Sequence, residues 1–435
     1  MKSILTILFV AIASVSFGQF NINFYQMQGA TPQNMNYNPA IFPKAQTFVS
    51  LPVMSGIDLT VNNSFGMSDV FVKTGDSTLL DVNKFLLNEK EGAFFNTTAN
   101  ITDMMVGVRL NEKSYFTLFI NERIDATFFY PLRLVDFIWK GNAEYLGEDY
   151  LIDDISYDFI HYREIGAGYG RTLNLFGYKF DVGGRLKLLN GTIHGSLKDN
   201  LAMSIYTDPD DYSVTVTMQD GFSRSAGMNA AEDGEADYFI FNKNTGFGVD
   251  LGAQMELTDK INVGLSLVDL GFINWKEDSE TASFNGTSFN ISGSSFDNMD
   301  QLADAISDSI ESLSIDTVAA SFTTSLNSRL FLNGSYRVTR NGYATAIMSN
   351  YFTQGKMKSA FGIGYTQELG KWLCASGTIS AASQYGADLG IGLMLRGGFF
   401  QTYVSVDHIF GTMNIPEASG ASVKFGVNFL FGSPD

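Results

Sequence analysis

Residues 246–275, which read GFGVDLGAQMELTDKINVGLSLVDLGFINW, contain two runs in which every second residue is apolar. The first run starts at Phe247, and charged residues such as Asp250 and Glu256 stand between its apolar positions. A hydrophobic period of two is the signature of β-strands. Because only Asp259–Lys260 separates the two runs, this stretch predicts two neighbouring strands joined by a tight turn.

The same alternation recurs from about residue 46 to the end of the chain. It predicts about fourteen strands, at approximately 46–65, 94–110, 114–130, 151–172, 178–198, 246–258, 260–275, 322–339, 342–352, 356–369, 371–382, 385–397, 399–411 and 421–432. In a soluble β-sandwich the apolar face of each strand would point inward. In a transmembrane barrel that face would meet lipid, and the polar face would line the lumen. Alternation alone leaves both architectures open.

The lengths of the connections distinguish these two architectures. The even-numbered connections have a few residues each, whereas the first, third, fifth and seventh span about 66–93, 131–150, 199–245 and 276–321. Short turns at one end and long loops at the other are typical of outer-membrane barrels, with both termini at the short-turn end. We therefore expect an all-β fold, an antiparallel transmembrane β-barrel over residues 46–435 with long extracellular loops.

The composition excludes several classes of protein. Of the 435 residues, 45% are hydrophobic and only 17% are charged, which argues against disorder. Cys374 is the single cysteine, so a disulfide scaffold and a multi-cysteine metal site are ruled out. The net charge of −18 repels a polyanion, so nucleic acid is not an expected partner.

The two segments before the first strand differ in character. Residues 1–18, MKSILTILFVAIASVSFG, combine Lys2, an apolar run and small residues near the end, which is the pattern of a cleaved secretory signal peptide. We therefore expect export to the bacterial outer membrane, with Gln19 as the mature N-terminus. Residues 19–45 are rich in Asn and Gln and lack a strand period, so we expect them to fold into the lumen as a plug.

If the apolar positions face lipid, the charged residues of opposite parity face the lumen. The residues predicted to do so are Asp103, Arg109, Arg123, Asp125, Asp181, Arg185, Asp250, Glu256, Arg337, Asp388 and Arg396, together with Lys179, Lys187 and Asp407. A general porin keeps a wide aqueous bore, for which about sixteen strands are usual. Interleaved charges in a smaller barrel favour a lumen closed by ion pairs and by the plug.

The long connections carry nearly all of the net negative charge, with Asp208, Asp210 and Asp211 as the densest cluster. Two interpretations stay open: an ordinary solvated loop surface, or divalent cations that bridge the loops to one another or to anionic lipopolysaccharide. The seventh connection predicts an amphipathic helix at about 297–313, which packs over the mouth of the barrel or binds a partner. Outer-membrane lipids and lipopolysaccharide are the expected surroundings.

Aromatic residues are expected at the two membrane interfaces of such a barrel. Trp275, Tyr130 and Tyr351 end strands at the long-loop side, and Trp372 and Phe399 begin strands at the short-turn side. We interpret these two sets as aromatic girdles, with ordinary core packing as the alternative.

Asn38–Pro39–Ala40, ahead of the first strand, resembles the Asn-Pro-Ala motif of the FadL-like outer-membrane transporters. Relatives of the PorV type in the type IX secretion system share this motif, and PorP/SprF proteins carry a similar one. Three longer stretches, 246–275, 321–338 and 162–170, resemble a family of Bacteroidota outer-membrane proteins of unknown function. The resemblance implies a FadL-like barrel with an N-terminal plug and no particular activity.

No catalytic site, metal site or cofactor is expected, and we do not expect an enzyme. Ser405, Asp407 and His408 are close in sequence, but on a strand the first two face away from the third, which defeats a hydrolytic triad.

Two functions from different classes stay open, and transport is the preferred one because a barrel with a plug needs no partner to act. The first is a gated transport barrel for small hydrophobic molecules, opened by movement of the plug. The second is a non-conducting accessory or scaffold barrel that docks a secretion or surface-protein complex of the type IX kind. An apolar lumen pocket with a gap in the wall would favour transport, and a lumen filled by salt bridges would favour scaffolding.

Overall fold

The computed structural model describes residues 22–51, 55–63, 71–74, 77–88, 93–198, 201–219, 221–284, 286–291, 316–353, 356–382, 385–409 and 420–432. The signal peptide expected at 1–18 and the loop helix expected at 297–313 lie outside the described residues.

Alternating apolar and polar residues form one continuous wall of antiparallel strands. The fourteen wall strands in the described residues are β1 (Thr47–Ser50 and Gly56–Asn63), β2 (Ala93–Asn111), β3 (Ser114–Tyr130), β4 (Asp149–Leu175), β5 (Tyr178–Lys198), β6 (Thr245–Thr258), β7 (Ile261–Trp275), β8 (Phe322–Ser325 and Ser328–Thr339), β9 (Gly342–Thr353), β10 (Lys356–Leu369), β11 (Leu373–Ala382), β12 (Tyr385–Gly397), β13 (Phe400–Asp407) and β14 (Gly420–Phe431). Each strand pairs with the next along the chain, and β1 also pairs with β14, where Thr47 lies opposite Phe431. The wall is therefore a closed barrel, and the predicted all-β antiparallel fold of about fourteen strands is confirmed.

The two ends of the barrel differ as the connection lengths predict. The turn after β4 places both Phe176 and Gly177 at positive φ, 53° and 83°, a geometry that matches the twist of the strands it joins. The long connections contain the short strands Phe71–Thr74, Ser77–Leu80, Leu201–Thr207, Val214–Met218, Phe222–Ala226, Ser279–Ser283, Ser288–Ile291 and Asp316–Ala319.

The helices are short. They are α1 (Ile22–Gln26), α2 (Val82–Asn88), α3 (Leu132–Lys140), α4 (Met228–Asp233) and α5 (Ala236–Ile240), with 3-10 turns at Pro32–Asn36 and Ala143–Tyr145. Among the described residues, we find no helix with the length and apolar character needed to cross a bilayer.

The wall is apolar outside and polar inside. On β5, Leu186 and Leu188 are 58% and 67% exposed, whereas Lys187 between them is 1% exposed. Exposed apolar side chains recur on the outer surface around the barrel, for example Ile363 on β10 and Phe425 on β14. An extensive exposed apolar surface is a sign that a protein meets lipid or another protein there.

The wall is higher on one side than on the other. Strands β2 to β5 have 17 to 27 residues, whereas β9 to β13 have 8 to 14. The upper part of β4 pairs with Leu201–Thr207, and the upper part of β5 pairs with Phe222–Ala226. The tall side thus extends into a small sheet on the long-loop side, packed around Tyr150 and Ile152.

The aromatic girdle prediction is wrong for two residues of the long-loop side, and the third, Tyr130, stands eight residues past the outward charge Glu122 on its strand, above the height of a girdle. Trp275 is fully buried and stacks on His194, and Tyr351 is buried and donates a hydrogen bond to Asp125 across the lumen at 3.2 Å. A register shift between β6 and β7 turns the end of β7 inward, and alternation along β9 places Tyr351 on the inner face. Trp372, at the short-turn side, is exposed.

Candidate functional site

The N-terminal segment, residues 22–45, occupies the lumen, and we call it the plug. Every residue from 22 to 41 except Gln28 is buried. The plug enters at the short-turn end, just before β1, and reaches Asp407 at the upper end of β13, which accepts a hydrogen bond from the Asn23 backbone N–H at 3.0 Å. The plug therefore fills the barrel over most of its height.

The Asn-Pro-Ala motif of the plug lies against the inner wall of β5 and β6. The Asn38 Oδ1 accepts a hydrogen bond from the Ala40 N–H at 2.9 Å, which fixes the turn. Gly183 and Gly252 lie opposite each other on these strands. A Cβ atom at Gly183 would lie 2.2 Å from the Pro39 carbonyl oxygen, and one at Gly252 would lie 2.1 Å from Asn38 Oδ1. Only glycine lets the backbone approach this closely, so the motif and the wall are matched to each other.

Tyr25 connects the motif to β8. Its hydroxyl accepts a hydrogen bond from the Asn38 amide at 3.2 Å and donates one to Asn333 at 2.9 Å. Its ring stacks on Phe331 with 5.1 Å between the centroids.

Asn23, in α1, also binds the plug to the wall. Its Nδ2 donates to the Ser405 hydroxyl at 2.9 Å, and its Oδ1 accepts from the hydroxyls of Thr378 at 2.8 Å and Ser376 at 3.1 Å. Ser405 and Asp407, two residues considered for a hydrolytic triad, thus both hold the plug.

Beside the plug, the inner wall from β3 to β8 carries a cluster of buried or largely buried charges, which we call the lumen network. Its members are Arg123, Glu164, Arg185, Lys187, Asp250, Asp269 and Arg329. Lys187 lies at the centre. Its Nζ is 2.8 Å from Asp250 and 3.2 Å from Glu164, and it also contacts Asp269.

Two arginines complete the ion pairs on either side of Lys187. Arg123 Nε is 3.2 Å from Glu164, and Arg329 Nε donates to Asp269 at 3.1 Å. A buried ion is destabilising unless opposite charges and hydrogen bonds surround it. The members of the lumen network are therefore stable only as a set.

Arg185 connects the lumen network to the plug. Its guanidinium is 3.5 Å from Asp250, donates to Asn36 Oδ1 at 2.7 Å and to the Met35 carbonyl at 3.2 Å. The same group lies over the Phe119 ring, 3.6 Å from its centroid. The plug is thus held to the wall by a charged group as well as by close packing.

Two small cavities lie beside the plug and the network. Among the described residues they have volumes of about 40 and 10 Å³. The larger one is lined by Asp58, Asp125 and Arg329, among others. A water molecule needs about 10–15 Å³ and a pocket for a drug-sized ligand about 300–1,000 Å³, so these cavities hold a few waters at most.

The remaining inner-face charges lie nearer the two ends of the barrel. Those toward the short turns contact the wall or the plug: Arg109, Asp181, Glu256, Arg337 and Arg396. Arg109, for example, donates to the Pro43 carbonyl of the plug at 2.8 Å. Toward the long loops, Asp388 lies 3.0 Å from His408.

Asp103, predicted to face the lumen, lies instead beside charges of the outer surface. A β-bulge at Asp103 breaks the register between β2 and β3, and the charges nearest to it include Glu122 and Arg163. Glu122 is 2.5 Å from Arg163 and 3.1 Å from His161. A bulge re-aims the side chain at one position, which strict alternation does not take into account.

Alternation also missed Asp269. Leu265 faces outward, so strict alternation places Asp269 outward as well. A register shift between β6 and β7, with Asp269 at φ 63°, turns its carboxylate into the lumen network. A charged side chain that faces lipid is energetically costly. The presence of Asp269 at a position that alternation assigns to lipid was therefore the signal in the sequence that the register shifts there. Glu164 and Arg329 have inward parity and could have been found by alternation alone.

The acidic cluster of the fifth connection forms a turn. Asp208 Oδ1 accepts a hydrogen bond from the Asp210 N–H at 2.8 Å, and Asp211 Oδ1 accepts one from the Ser213 N–H at 2.8 Å. These are the Asx contacts expected of aspartates in turns, and cation bridging stays a prediction. In the part of the chain that the structure describes, no three His, Cys, Asp or Glu side chains are arranged to hold a metal ion.

The fold and the lumen define the class of protein: a closed fourteen-stranded barrel occupied by its own N-terminal segment and by buried ion pairs. Residues 39–407 match the family described as "Family of unknown function (DUF5723)", and the chain belongs to this family. No curated protein matches the sequence.

Solved structures resemble this chain over nearly their whole length at low identity. The Ralstonia pickettii toluene transporter TbuX is 10% identical with a TM-score of 0.44, and the match covers 96% of this chain and 98% of that one. A Pseudomonas aeruginosa FadL homologue is 10% identical with a TM-score of 0.42, covering 92% and 93%. The translocator domain of the autotransporter NalP from Neisseria meningitidis is 11% identical with a TM-score of 0.32, covering 93% and 94%.

Proposed function

We propose that this chain is an outer-membrane barrel whose lumen stays closed, and that it acts as a non-conducting accessory or scaffold barrel. The observation that carries the proposal is the occupied lumen, where residues 22–41 of the plug, except the half-buried Gln28, are buried and Arg185 of the lumen network holds Asn36. Because apolar side chains cover the outer surface, we infer that outer-membrane lipids, with lipopolysaccharide, surround the wall. A secretion or surface-protein complex is the class of partner that such a barrel would serve.

Opening the lumen would require the plug to leave its contacts with the wall. Arg185 would then lose its hydrogen bonds to Asn36 and to the Met35 carbonyl, while its ion pair with Asp250 would remain. A buried donor that loses its hydrogen-bond partner costs about 1–3 kcal/mol, and more when the donor is charged. The contacts of Asn23 and Tyr25 would be lost in addition, so the closed state is the stable resting state.

Conductance of single barrels in planar bilayers tests the proposal. We expect the wild-type barrel to stay at the baseline of the lipid. A variant that lacks residues 22–41 should conduct, because its lumen is partly emptied, and it shows that the assay detects an open barrel. Steady conductance through the wild-type barrel would contradict the proposal.

A point variant gives a second route to the same test. Gly183→Val should displace the plug, since its side chain would collide with Pro39. Gly184→Val is the matched control, because a Cβ atom there has no neighbour closer than 3.7 Å. Heat-dependent electrophoretic mobility shows which variants remain folded barrels.

A gated pathway for small hydrophobic molecules is the second candidate, and an irregularity of β1 favours it. Ser50 lies opposite Asn428 of β14, and Ile57 lies opposite Phe425. Six residues separate Ser50 from Ile57 in the chain, whereas only two separate Asn428 from Phe425. The register of β1 against β14 thus shifts by four residues at this point, beside Gln33 of the plug.

A disulfide across this point separates the two candidates. A Cβ atom at Gly56 would lie 3.4 Å from Gln33 Cγ, the position that the sulfur of a cysteine at 33 would take, so Gln33→Cys with Gly56→Cys should lock the plug to the wall. Uptake of a labelled hydrophobic compound by cells that carry the barrel, abolished by the disulfide and restored by reduction, would support a gated pathway. Uptake no greater than that of cells without the barrel would exclude it.

A further inference from the structure

Helix α3 follows β3 directly and lies beyond the apolar band of the barrel. A tilted strand advances roughly 2.5 Å per residue along the barrel axis, so about ten residues cross the roughly 25 Å band that lipid covers. Strand β3 has 17 residues, and its outward charge Glu122 lies about where this band should end. Helix α3 therefore begins on the order of 15 Å beyond the lipid, on the long-loop side.

Helix α3 is apolar on two sides. One side packs on the small sheet, and the other, although α2 also contacts the helix, leaves large apolar side chains exposed among the described residues. Phe137 packs on Tyr150, with 5.4 Å between the ring centroids. Ile138 and Trp139 are 57% and 46% exposed. Val135 shares their helical face, since it stands three and four residues before them. We call Val135, Ile138 and Trp139 the shelf.

The shelf is held in a fixed position. Asp136 accepts a hydrogen bond from the Tyr145 hydroxyl at 2.9 Å and lies 2.7 Å from Lys140 Nζ. The guanidinium of Arg133 lies over the Tyr150 ring, 4.4 Å from its centroid. Both basic side chains of α3 are thus engaged by their own neighbours. A preorganised apolar surface loses little entropy on binding.

The surroundings of the shelf are acidic. The segment that follows α3 exposes five carboxylates: Glu144, Glu148, Asp149, Asp153 and Asp154. Because Lys140 is paired with Asp136, the surface as a whole presents negative charge. Such a surface attracts a basic partner and repels both anionic lipopolysaccharide and a second copy of the same barrel.

We propose that the shelf is a docking site for an exported protein that presents an apolar contact within a basic rim. The proposal rests on the scaffold function above and adds the chemistry of the partner. Ile138 and Trp139 form the central apolar contact, because binding energy concentrates in a few buried side chains, aromatic ones above all. The carboxylates form the rim, which accelerates association and selects against acidic partners.

Two synthetic amphipathic peptides serve as probes. Both have the same Leu and Trp face, and the polar face carries Lys in one and Glu in the other. Calorimetry with the full barrel in nanodiscs of uncharged lipid should show that the Lys peptide binds, more weakly as salt rises, and that the Glu peptide does not. Ile138→Ser and Trp139→Ser should each weaken binding at least tenfold. Phe176→Ser, which changes a 94% exposed aromatic residue at the opposite end, should leave it unchanged.

Equal binding of the two peptides, or binding that survives both shelf substitutions, would overturn the proposal. Binding of lipopolysaccharide vesicles through Trp139 would also overturn it, because the shelf would then contact lipid. Self-association that Trp139→Ser abolishes would overturn it as well, because the shelf would then bind a second copy of the barrel. Conductance of the same variants separates the two proposals. If the wild-type barrel does not conduct and the Lys peptide does not bind, only the shelf proposal fails. If the wild-type barrel conducts, the scaffold proposal fails.

Discussion

The two sides of the inner wall close the lumen by different chemistry. From β3 to β8 the wall contributes long charged side chains that pair with one another, with Lys187 in contact with three carboxylates. From β10 to β13 it contributes glycine and hydroxyl residues such as Gly392, Thr378 and Ser405, against which α1 packs. On the charged side the side chains pair with one another and Arg185 also reaches the plug, whereas the glycine side leaves space that α1 fills. The plug is thus matched to one side by charge and to the other by size.

Lys187→Met should have the largest effect, because it leaves buried carboxylates without their central cation. We expect the free energy of unfolding to fall by about 3–5 kcal/mol. Lys179 is the matched control on the same strand: its side chain and that of its partner Glu256 are 46% and 49% exposed. Lys179→Met should change the free energy by less than about 1 kcal/mol. Urea titration of the folded barrel in lipid measures both values.

A double variant sharpens this prediction. Glu164→Gln in the Lys187→Met background removes one of the carboxylates that lost its cation, while Arg123 keeps Asp269 at 3.8 Å, so part of the stability should return. If the double variant were instead less stable than Lys187→Met by the full effect of Glu164→Gln, the two residues would act independently and the lumen network would not be a single unit.

Gly392→Val tests the opposite side of the wall. A Cβ atom there would lie 2.7 Å from both the Asn23 Nδ2 and the Met27 Sδ, so the added side chain should displace α1. Overpacking of this kind destabilises by about 1–3 kcal/mol. Gly377→Val is the control, because a Cβ atom at Gly377 has no neighbour within 4 Å.

Cys374 reports on this displacement. It is fully buried, belongs to the apolar cluster that packs around the plug, and is the single cysteine of the chain. A polar maleimide should label Cys374 in Gly392→Val and leave it unlabelled in the wild type and in Gly377→Val. Protection of Cys374 in a folded Gly392→Val barrel would mean that the glycine side tolerates a larger residue.

Asn23→Ala should loosen the same end of the plug by a smaller amount. It removes the partner of Ser405 and of Thr378 and leaves buried hydroxyls to find new ones, at a cost of about 1–3 kcal/mol. Gln28 is the one half-buried residue between 22 and 41, so Gln28→Ala serves as the control. Hydrogen exchange of the α1 amides should accelerate in Asn23→Ala; equal exchange in the two variants would show that the side chain of Asn23 is not what holds α1.

Sequence alternation predicted the strands and most of the inner charges, because both follow from a local period of two, and the lengths of the connections predicted the barrel. It failed where the period breaks. Asp103 lies at a bulge, and Asp269 follows a register shift, so each points to the face opposite to the one that counting assigns. One inserted residue moves a side chain to the other face of a strand.

The contacts of the plug were out of reach for a different reason. Asn23 and Ser405 are 382 residues apart in the chain, and no local pattern relates them. The Asn-Pro-Ala motif was visible as a motif, but the fit of Pro39 against Gly183 depends on the three-dimensional closure of the wall. The residues that hold the plug are therefore ordinary in sequence and are distinguished only by where the barrel places them.

The smallest effect is expected at Lys44, where the plug meets the rim of β10. Lys44 contacts Glu368 with a side chain that is 57% exposed, whereas Lys187 contacts Glu164 with both side chains at 0%. Both pairs join a lysine to a glutamate, so burial is the main difference between them. Water screens the rim pair, and Lys44→Met should change the free energy of unfolding by at most about 0.5 kcal/mol. Cys374 should stay unlabelled. Labelling of Cys374 in this variant would mean that the Lys44–Glu368 contact at the rim holds the plug in the lumen. The different chemistry of the two inner sides would then not explain why the lumen is closed.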